Sequence, residues 1–285
     1  MTRFRIDLGY RGTDFHGWAK QPGLRTVQSS LEAGLTRITG AEEVPTVVAG
    51  RTDAGVHARR QVVHIDLSTE SIEKLIGRAS RSAEAALLSR LRGVLTVDDT
   101  DDIVIHAVSE VPEDFDARFS ALWRSYQYRL ADYRSFIDPL LTAVTPRHKG
   151  ELDAEAMAEA AREARGLHDF LPFCKPREGA TTIRTLFTLD VARDQEAVIT
   201  IDLRADAFCH HMVRALVGGL IKVGAGTWPV TRPAELLAEA DAGIEPGTPM
   251  FVTPAHGLVL TEVGYPEAEF YASRAAQTMA RRDTE

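Results

Sequence analysis

The chain has 285 residues, enough to bury a sizeable core in one large domain or two domains of ordinary size. Hydrophobic residues make up 44% and the formal net charge is -8, which excludes a disordered chain and argues against nucleic-acid affinity spread over the whole surface. No run of about 18 apolar residues occurs and the first residues lack a signal-peptide pattern, so the sequence predicts a cytoplasmic protein without a membrane anchor.

Alternating residues predict a first strand over 4–10, followed by a turn at 11–14. Thr26 or Ser29 is predicted to cap a helix that runs to Thr39. Strands over 44–49 and 61–67 flank a glycine-bracketed turn, and a second helix over 72–91 leads to a strand over 103–108. This order of strand, helix, two strands, helix and strand is the split ferredoxin-like pattern.

The turn over 50–58 reads Gly-Arg-Thr-Asp-Ala-Gly-Val-His-Ala and presents Asp53 between two strands. In an extended backbone Arg51 and Asp53 emerge on the same side, and a nearby guanidinium lowers the pKa of a carboxyl group by roughly 1 to 3 units. An ionised carboxylate held in a poorly solvated site is a candidate nucleophile. The simpler alternative is a turn in which Asp53 only accepts hydrogen bonds from nearby backbone amides.

The region after residue 117 carries a second group of candidates. Arg118 to Lys149 holds six basic residues against two acidic ones, which suits an anionic partner bound locally but is also typical of a solvated face. Period-two alternation from Leu122 onward places Arg124, Tyr126 and Tyr128 on one strand face. Such a face can stack a base and hold a phosphate, although cross-strand packing produces the same pattern.

A second round of elements follows, predicted as a helix over 153–164, strands over 184–192 and 197–203, helices over 209–223 and 232–240, and a strand over 258–263. This partial echo predicts two related halves joined near 111–116, with 267–285 as a loosely held tail. Arg214 lies on an otherwise apolar helix, where a buried guanidinium needs an anionic partner. The two cysteines, Cys174 and Cys209, are predicted to be reduced packing residues.

Two segments were tested as metal sites, and neither fits. The acidic segment 96–102 lacks the Gly and Glu that a calcium loop places at its sixth and twelfth positions, so it is predicted to be a solvated turn. Adjacent residues of the run Cys209-His210-His211 point about 100° apart on a helix, and a fourth zinc ligand is not apparent. We therefore expect no metal.

Three stretches together resemble the bacterial tRNA pseudouridine synthase A family. They are the string over 50–57, the segment Ala-Arg-Phe-Ser-Ala-x-x-Arg-x-Tyr-x-Tyr over 117–128, and the segment 206–219. The resemblance covers about residues 3–266. The chain differs from the family pattern at Arg11, at Ala19 and across 91–102. Any contact that the family makes through this last segment is therefore in question for this chain. Phe15 and Trp18 belong to the matched N-terminal loop and fit either core packing or contact with RNA.

The resemblance implies an α+β fold in which two ferredoxin-like, RRM-like halves share one extended antiparallel sheet, with helices on one side and a cleft at the centre. The halves are expected at 1–112 and 113–266, followed by the tail 267–285. By the same resemblance Asp53 is the catalytic nucleophile, Tyr126 packs against the target base, and Arg214 pairs with the catalytic Asp or the substrate. Arg51 is expected to hold carboxylate or phosphate charge.

The activity implied is isomerisation of uridine to pseudouridine in the anticodon stem-loop of tRNA, at tRNA positions 38, 39 and 40, by a homodimer that needs no cofactor or metal. Two alternatives remain open from the residues. One is a catalytically silent RNA-binding protein of the same architecture. The other is a nucleoside or glycoside hydrolase using Asp53, although the matched motifs contain no second carboxylate of the kind that glycosidases use.

Overall fold

The computed structural model describes residues 1–78, 80–96, 102–177, 181–247 and 250–283. The strands are β1 Thr2–Tyr10, β2 Val47–Val48, β3 His57–Leu67, β4 Ile103–Val111, β5 Trp123–Leu130, β6 Gly166–Asp169, β7 Ile183–Arg193, β8 Ile199–Ala205 and β9 Leu258–Gly264. The helices are α1 Val27–Thr39, α2 Thr69–Ile76, α3 Ala83–Leu95, α4 Ala154–Glu163, α5 Met212–Gly224, α6 Arg232–Asp241 and α7 Tyr271–Asp283. The fold class is therefore α+β. The strand pairings described below are all antiparallel.

The chain divides into two compact units, the first formed by Met1–Leu122 with Leu260–Glu285 and the second by Trp123–Val259. This division differs from the predicted halves at 1–112 and 113–266 with a separate tail at 267–285. The physical reason is that the segment after β4 packs against the C-terminal end of the chain. The Tyr265 hydroxyl donates to the Ala117 carbonyl at 2.6 Å, and the Ser120 hydroxyl donates to the Tyr271 carbonyl at 3.2 Å.

In the first unit, β1 lies between β3 and β4, and β2 pairs with Val63 and His64 on the other edge of β3. Helix α1 begins as the sequence predicts, because Thr26 and Ser29 form a reciprocal capping box at its N-terminus. Its buried face includes the apolar residues Val27, Leu31, Leu35 and Ile38, which recur at helical spacing in the sequence. The long helix predicted over 72–91 is instead α2 and α3, since α2 ends at Gly77 and Ser82 caps α3.

The acidic segment lies largely outside the described residues, which omit 97–101. Its last member, Asp102, is buried and accepts hydrogen bonds from the guanidinium groups of Arg11 and Arg25 at 2.7 and 3.0 Å. At this position the side chain is therefore a structural partner of two arginines and not part of a solvated turn. Arg11, a departure from the family pattern, contributes directly to this anchoring.

The C-terminal residues form helix α7 where the sequence predicted a loosely held tail. Tyr271 and Ala275 are buried, and the Tyr271 ring lies edge-on to Phe115 with centroids 4.9 Å apart. A short apolar stripe on a mostly polar helix gave too weak a periodic signal to be recognised in the sequence.

In the second unit the strand order is β5-β8-β7-β6. Helix α4 packs on β7 and on α5. Ile201 and Leu203 of β8 are buried together with Met157 of α4 and Leu216 of α5, so one face of this sheet forms the core of the unit. β6 was missed because four residues are too few for a periodic pattern. Among the described residues, no helix combines the length and apolar character needed to cross a membrane.

The prediction of two separate reduced cysteines is wrong for this structure, which joins Cys174 and Cys209 in a disulfide with Cα atoms 5.8 Å apart. The turn after β6 and the segment before α5 run side by side, because the Lys175 amide donates to the His210 carbonyl at 2.8 Å. A contact between residues 35 positions apart has no local signature, so the pairing could not be predicted from neighbouring residues.

Candidate active site

Asp53 lies on a loop whose backbone is fixed on both sides. The Thr52 carbonyl accepts a hydrogen bond from the Trp18 amide at 3.0 Å, and the Asp53 carbonyl accepts one from the Val56 amide at 3.2 Å. Asp53 itself is half-buried, between the buried residues Thr52 and Val56 of the same loop. The loop therefore presents a carboxylate from a fixed backbone, which is what a nucleophile requires.

A buried hydrogen-bond network beneath the loop connects it to the sheet. The Tyr10 and Thr52 hydroxyls lie 2.8 Å apart, and the Gln61 side-chain amide donates to the Tyr10 hydroxyl at 3.2 Å and to the Gly50 carbonyl at 2.9 Å. Burial raises the pKa of Tyr10 to about 12, so its hydroxyl stays protonated and able to donate. Tyr10 and Gln61 thus hold Thr52, which precedes Asp53, and Gly50, which precedes Arg51.

Two glycines give the loop its close packing. Gly55 has φ of 79°, as expected for a turn that other residues adopt at a cost. Gly17 has φ of 88°, and a Cβ atom added to it would lie 3.0 Å from the Thr52 carbonyl oxygen and 3.1 Å from the Ala54 amide nitrogen. Gly17 therefore allows the 15–18 loop to lie directly against the backbone around Asp53.

The aromatic residues of the 15–18 loop are core residues. Phe15 and Trp18 are 3% and 1% exposed, and the Arg25 guanidinium lies 4.2 Å above the Phe15 ring. Of the two interpretations left open by the sequence, core packing is the one that applies in this structure.

Arg51 has an exposed side chain in this structure. Its pairing with Asp53 stays a prediction. An exposed guanidinium two residues from the carboxylate remains able to bind an anion from solution.

Tyr126 lies on the buried face of β5. Exposure alternates along this strand, with Arg124, Tyr126 and Tyr128 buried as the period-two pattern predicts. The Phe208 ring packs edge-on against Tyr126, with centroids 5.0 Å apart and an interplanar angle of 86°. The Arg124 guanidinium donates to the Asp206 carbonyl at 2.8 Å, which fixes the segment that carries Phe208.

Tyr128, the second tyrosine of this face, has a structural role. Its hydroxyl donates to the Pro254 carbonyl at 3.0 Å, and burial raises its pKa to about 12. The hydroxyl of Tyr128 is therefore held inside the unit.

Arg214 lies in the first turn of α5, next to the buried residues Met212 and Val213. Its Nε donates to the Thr253 carbonyl at 2.7 Å, and the Thr253 amide and hydroxyl donate to the Arg214 carbonyl at 3.3 and 3.1 Å. Backbone and side chain are thus both fixed to the segment before β9, which orients the guanidinium.

The four predicted site residues divide between the two units, with Arg51 and Asp53 in the first and Tyr126 and Arg214 in the second. The supporting residues Tyr10, Gln61, Phe208 and Thr253 were not identified from the sequence. Each acts through a contact with a residue far away along the chain, and such contacts leave no local pattern. Cys209, one of the residues considered as a zinc ligand, is bonded to Cys174 and is not available to a metal.

Comparison with known proteins gives closely similar relatives. A protein from Leifsonia xyli subsp. xyli called tRNA pseudouridine synthase A is 48% identical over 99% of this chain and 98% of its own length. Proteins of the same description from Streptomyces avermitilis and Cutibacterium acnes are 46% and 45% identical, each over 99% of this chain and over 94% and 95% of their own lengths.

The chain belongs to the tRNA pseudouridine synthase A family. A family model described as tRNA pseudouridine synthase also matches residues 160–266. Among solved structures, a Cbf5-Nop10-Gar1 complex matches 92% of this chain and 59% of that chain at 10% identity and a TM-score of 0.35, a likeness too low to support an argument. The resemblance stated from the motifs alone is confirmed.

Removing the hydroxyl of Tyr10 is expected to loosen the loop that carries Asp53. Tyr10→Phe leaves Thr52 and Gln61 with one buried hydrogen bond fewer each, so we expect a loss of about 1 to 3 kcal/mol in the free energy of unfolding. We also expect kcat on tRNA to fall more than tRNA affinity, because the loop positions Asp53. Urea unfolding and steady-state kinetics measure both. Tyr133→Phe, at a tyrosine 86% exposed, is the matched control.

A side chain at position 17 is expected to displace the loop directly. Gly17→Ala adds a Cβ to a left-handed backbone already 3.0 Å from the Thr52 carbonyl, so we expect destabilisation above about 1 kcal/mol and reduced turnover. Gly23→Ala is the control, because φ there is 72° but nothing lies within 4 Å of the added atom. Equal effects of the two substitutions would show that backbone strain alone, and not the contact with the loop, accounts for the loss.

Proposed function

We propose that this protein converts uridine to pseudouridine in the anticodon stem-loop of tRNA, at tRNA positions 38, 39 and 40, with Asp53 as nucleophile. The observation that carries the proposal is near full-length identity of 45–48% to proteins called tRNA pseudouridine synthase A. The geometry around Asp53 supports the assignment of the nucleophile, because the carboxylate stands on a loop with a fixed backbone.

The target base must leave its stack before any residue reaches the sugar. Flipping a base costs a few kcal/mol, and stacking on an aromatic side chain contributes roughly 1 to 3 kcal/mol in return. Tyr126 takes this role in the proposal. Its ring is held edge-on by Phe208, so its face is oriented before substrate binds.

The reaction needs no external reagent. Asp53 attacks and forms a transient bond to the substrate, the bond between N1 of uracil and C1′ of ribose breaks, and the base turns within the pocket. A bond then forms between C5 and C1′, and the bond to Asp53 is broken before the product is released. The proton lost from C5 balances the proton gained at N1, so neither cofactor nor metal is required. Arg51 and Arg214 are assigned to the negative charge of carboxylate and phosphate, and Tyr126 to removal of the C5 proton.

The finer architecture belongs to the same proposal. We assign the two units to two ferredoxin-like halves that share one extended antiparallel sheet, with the substrate cleft at its centre and the family's homodimer as the active form. The strand orders within the units support this assignment. A tRNA substrate places the enzyme in the cytoplasm.

The direct test uses tRNA carrying tritium at C5 of uridine. We expect tritium release together with pseudouridine in the digested tRNA, and no release from tRNA in which the uridines at positions 38 to 40 are replaced by cytidine. Binding of tRNA without a change in its uridine content would favour the RNA-binding alternative. Free uracil among the products would favour the hydrolase.

A further inference from the structure

Segment 206–211 connects β8 to α5 and carries part of the proposed base-binding site. Phe208 packs against Tyr126, and Arg214 follows in the first turn of the helix. His211, the residue before the helix, has φ of 69°, a left-handed conformation that residues other than glycine rarely adopt. Surrounding contacts must hold such a conformation in place.

Hydrogen bonds fix both ends of this segment. At one end the Asp206 carboxylate accepts from the Thr185 amide at 3.0 Å, and the Asp206 carbonyl accepts from Arg124 at 2.8 Å. At the other end the His210 carbonyl accepts from the Lys175 amide at 2.8 Å. The centre contains Phe208, which packs against Tyr126, and Cys209, which is bonded to Cys174.

The cysteine pair has the properties of a reversible site. The Cα atoms lie 5.8 Å apart, a separation that a disulfide can bridge, and both residues are partly exposed to solvent. Small thiols and disulfides can therefore reach them. In the cytoplasm, where we place the protein, disulfides are usually transient and catalytic or redox-sensing.

We propose that Cys174 and Cys209 form a reversible thiol–disulfide site that reacts with low-molecular-weight disulfides, and that closing the bond orders segment 206–211. One cysteine thiolate attacks a sulfur of the small disulfide and releases a small thiolate. The second cysteine thiolate attacks the mixed disulfide and releases the other. Two electrons pass from the protein to the small disulfide, and the two protons of the protein thiols go to the two thiolates released.

The chemistry is tested on the full chain, fully reduced and then treated with oxidised glutathione. Alkylation followed by intact-mass analysis is expected to find two free thiols before treatment and none after, with no glutathione retained. Cys174→Ser and Cys209→Ser are each expected to retain one glutathione, because the second attack is impossible. Two alkylated thiols, or stable glutathione adducts, in the treated wild type would overturn the proposal.

The structural effect is measured by hydrogen exchange over peptides covering 206–211. Exchange is expected to be slower in the oxidised form, with Tm higher by about 5 to 10 °C for a loop of this length. The double variant Cys174→Ser/Cys209→Ser should not respond to glutathione. Equal exchange in both forms of the wild type would contradict the ordering.

The consequence for catalysis rests on the proposed function. Because Phe208 orients Tyr126, turnover on tRNA is expected to be roughly threefold to tenfold lower in the reduced form. Equal turnover in the oxidised and reduced forms would show that the disulfide does not affect catalysis. A difference in exchange without pseudouridine in either form would instead refute the proposed function and leave the thiol site standing.

Discussion

Asp53→Asn is expected to abolish pseudouridine formation while leaving the fold intact. The amide has the size of the carboxylate but carries no charge and is a poor nucleophile, so we expect kcat to fall at least about 10⁴-fold. The loop should keep its structure, because the hydrogen bonds from the Trp18 and Val56 amides to the Thr52 and Asp53 carbonyls involve backbone atoms that the substitution leaves in place. Tritium release under single-turnover conditions gives the rate, and urea unfolding verifies stability.

Asp114→Asn is the matched control for this substitution, since Asp114 is exposed and lies outside the proposed site. It should turn over at the wild-type rate. Activity of Asp53→Asn within tenfold of wild type would remove Asp53 from the role of nucleophile.

Tyr126→Phe is expected to lower kcat much more than the affinity for tRNA. The ring and its contact with Phe208 remain, so stacking of the target base and the affinity for tRNA should change little. Loss of the hydroxyl removes the group assigned to the C5 proton, which is expected to lower kcat by about 10²-fold or more. Single-turnover rates and filter-binding affinities measured on the same tRNA compare the two effects.

Tyr126→Leu provides the complementary measurement, because it removes the aromatic face as well. We expect it to weaken tRNA binding by an additional 1 to 3 kcal/mol or so. If Tyr126→Phe turned over as fast as wild type, the tyrosine would be a stacking residue only, and the proton would have to leave by another route.

Most of the helices and strands, and the residues proposed for chemistry, could be predicted from short-range patterns. The cap at Thr26, the apolar stripe of α1 and the alternation of β5 are short-range patterns, and the structure contains all three. The Asp53 loop was recognisable because a long string of unusual residues lies between two strands. Each of these features depends on about a dozen consecutive residues.

Features that depend on distant contacts could not be predicted in the same way. Tyr10 contacts Thr52 and Gln61, 42 and 51 positions away, and nothing near Tyr10 in the sequence indicates those partners. The same is true of the pair Cys174 and Cys209. It is also true of Asp102, whose carboxylate accepts hydrogen bonds from two arginines. For Asp102 and the two cysteines the local composition indicated a different outcome, because composition carries no information on which residues lie close together.

The attachment of the Asp53 loop to Tyr10 and Gln61 has a consequence for inactivation by heat. Tyr10 ends β1 and Gln61 lies within β3, and these neighbouring strands are paired along nearly their whole length. The loop is therefore not expected to unfold locally while β1 and β3 remain paired. Heating should therefore destroy activity and the secondary structure of the first unit at one temperature, with no inactive but folded intermediate beforehand.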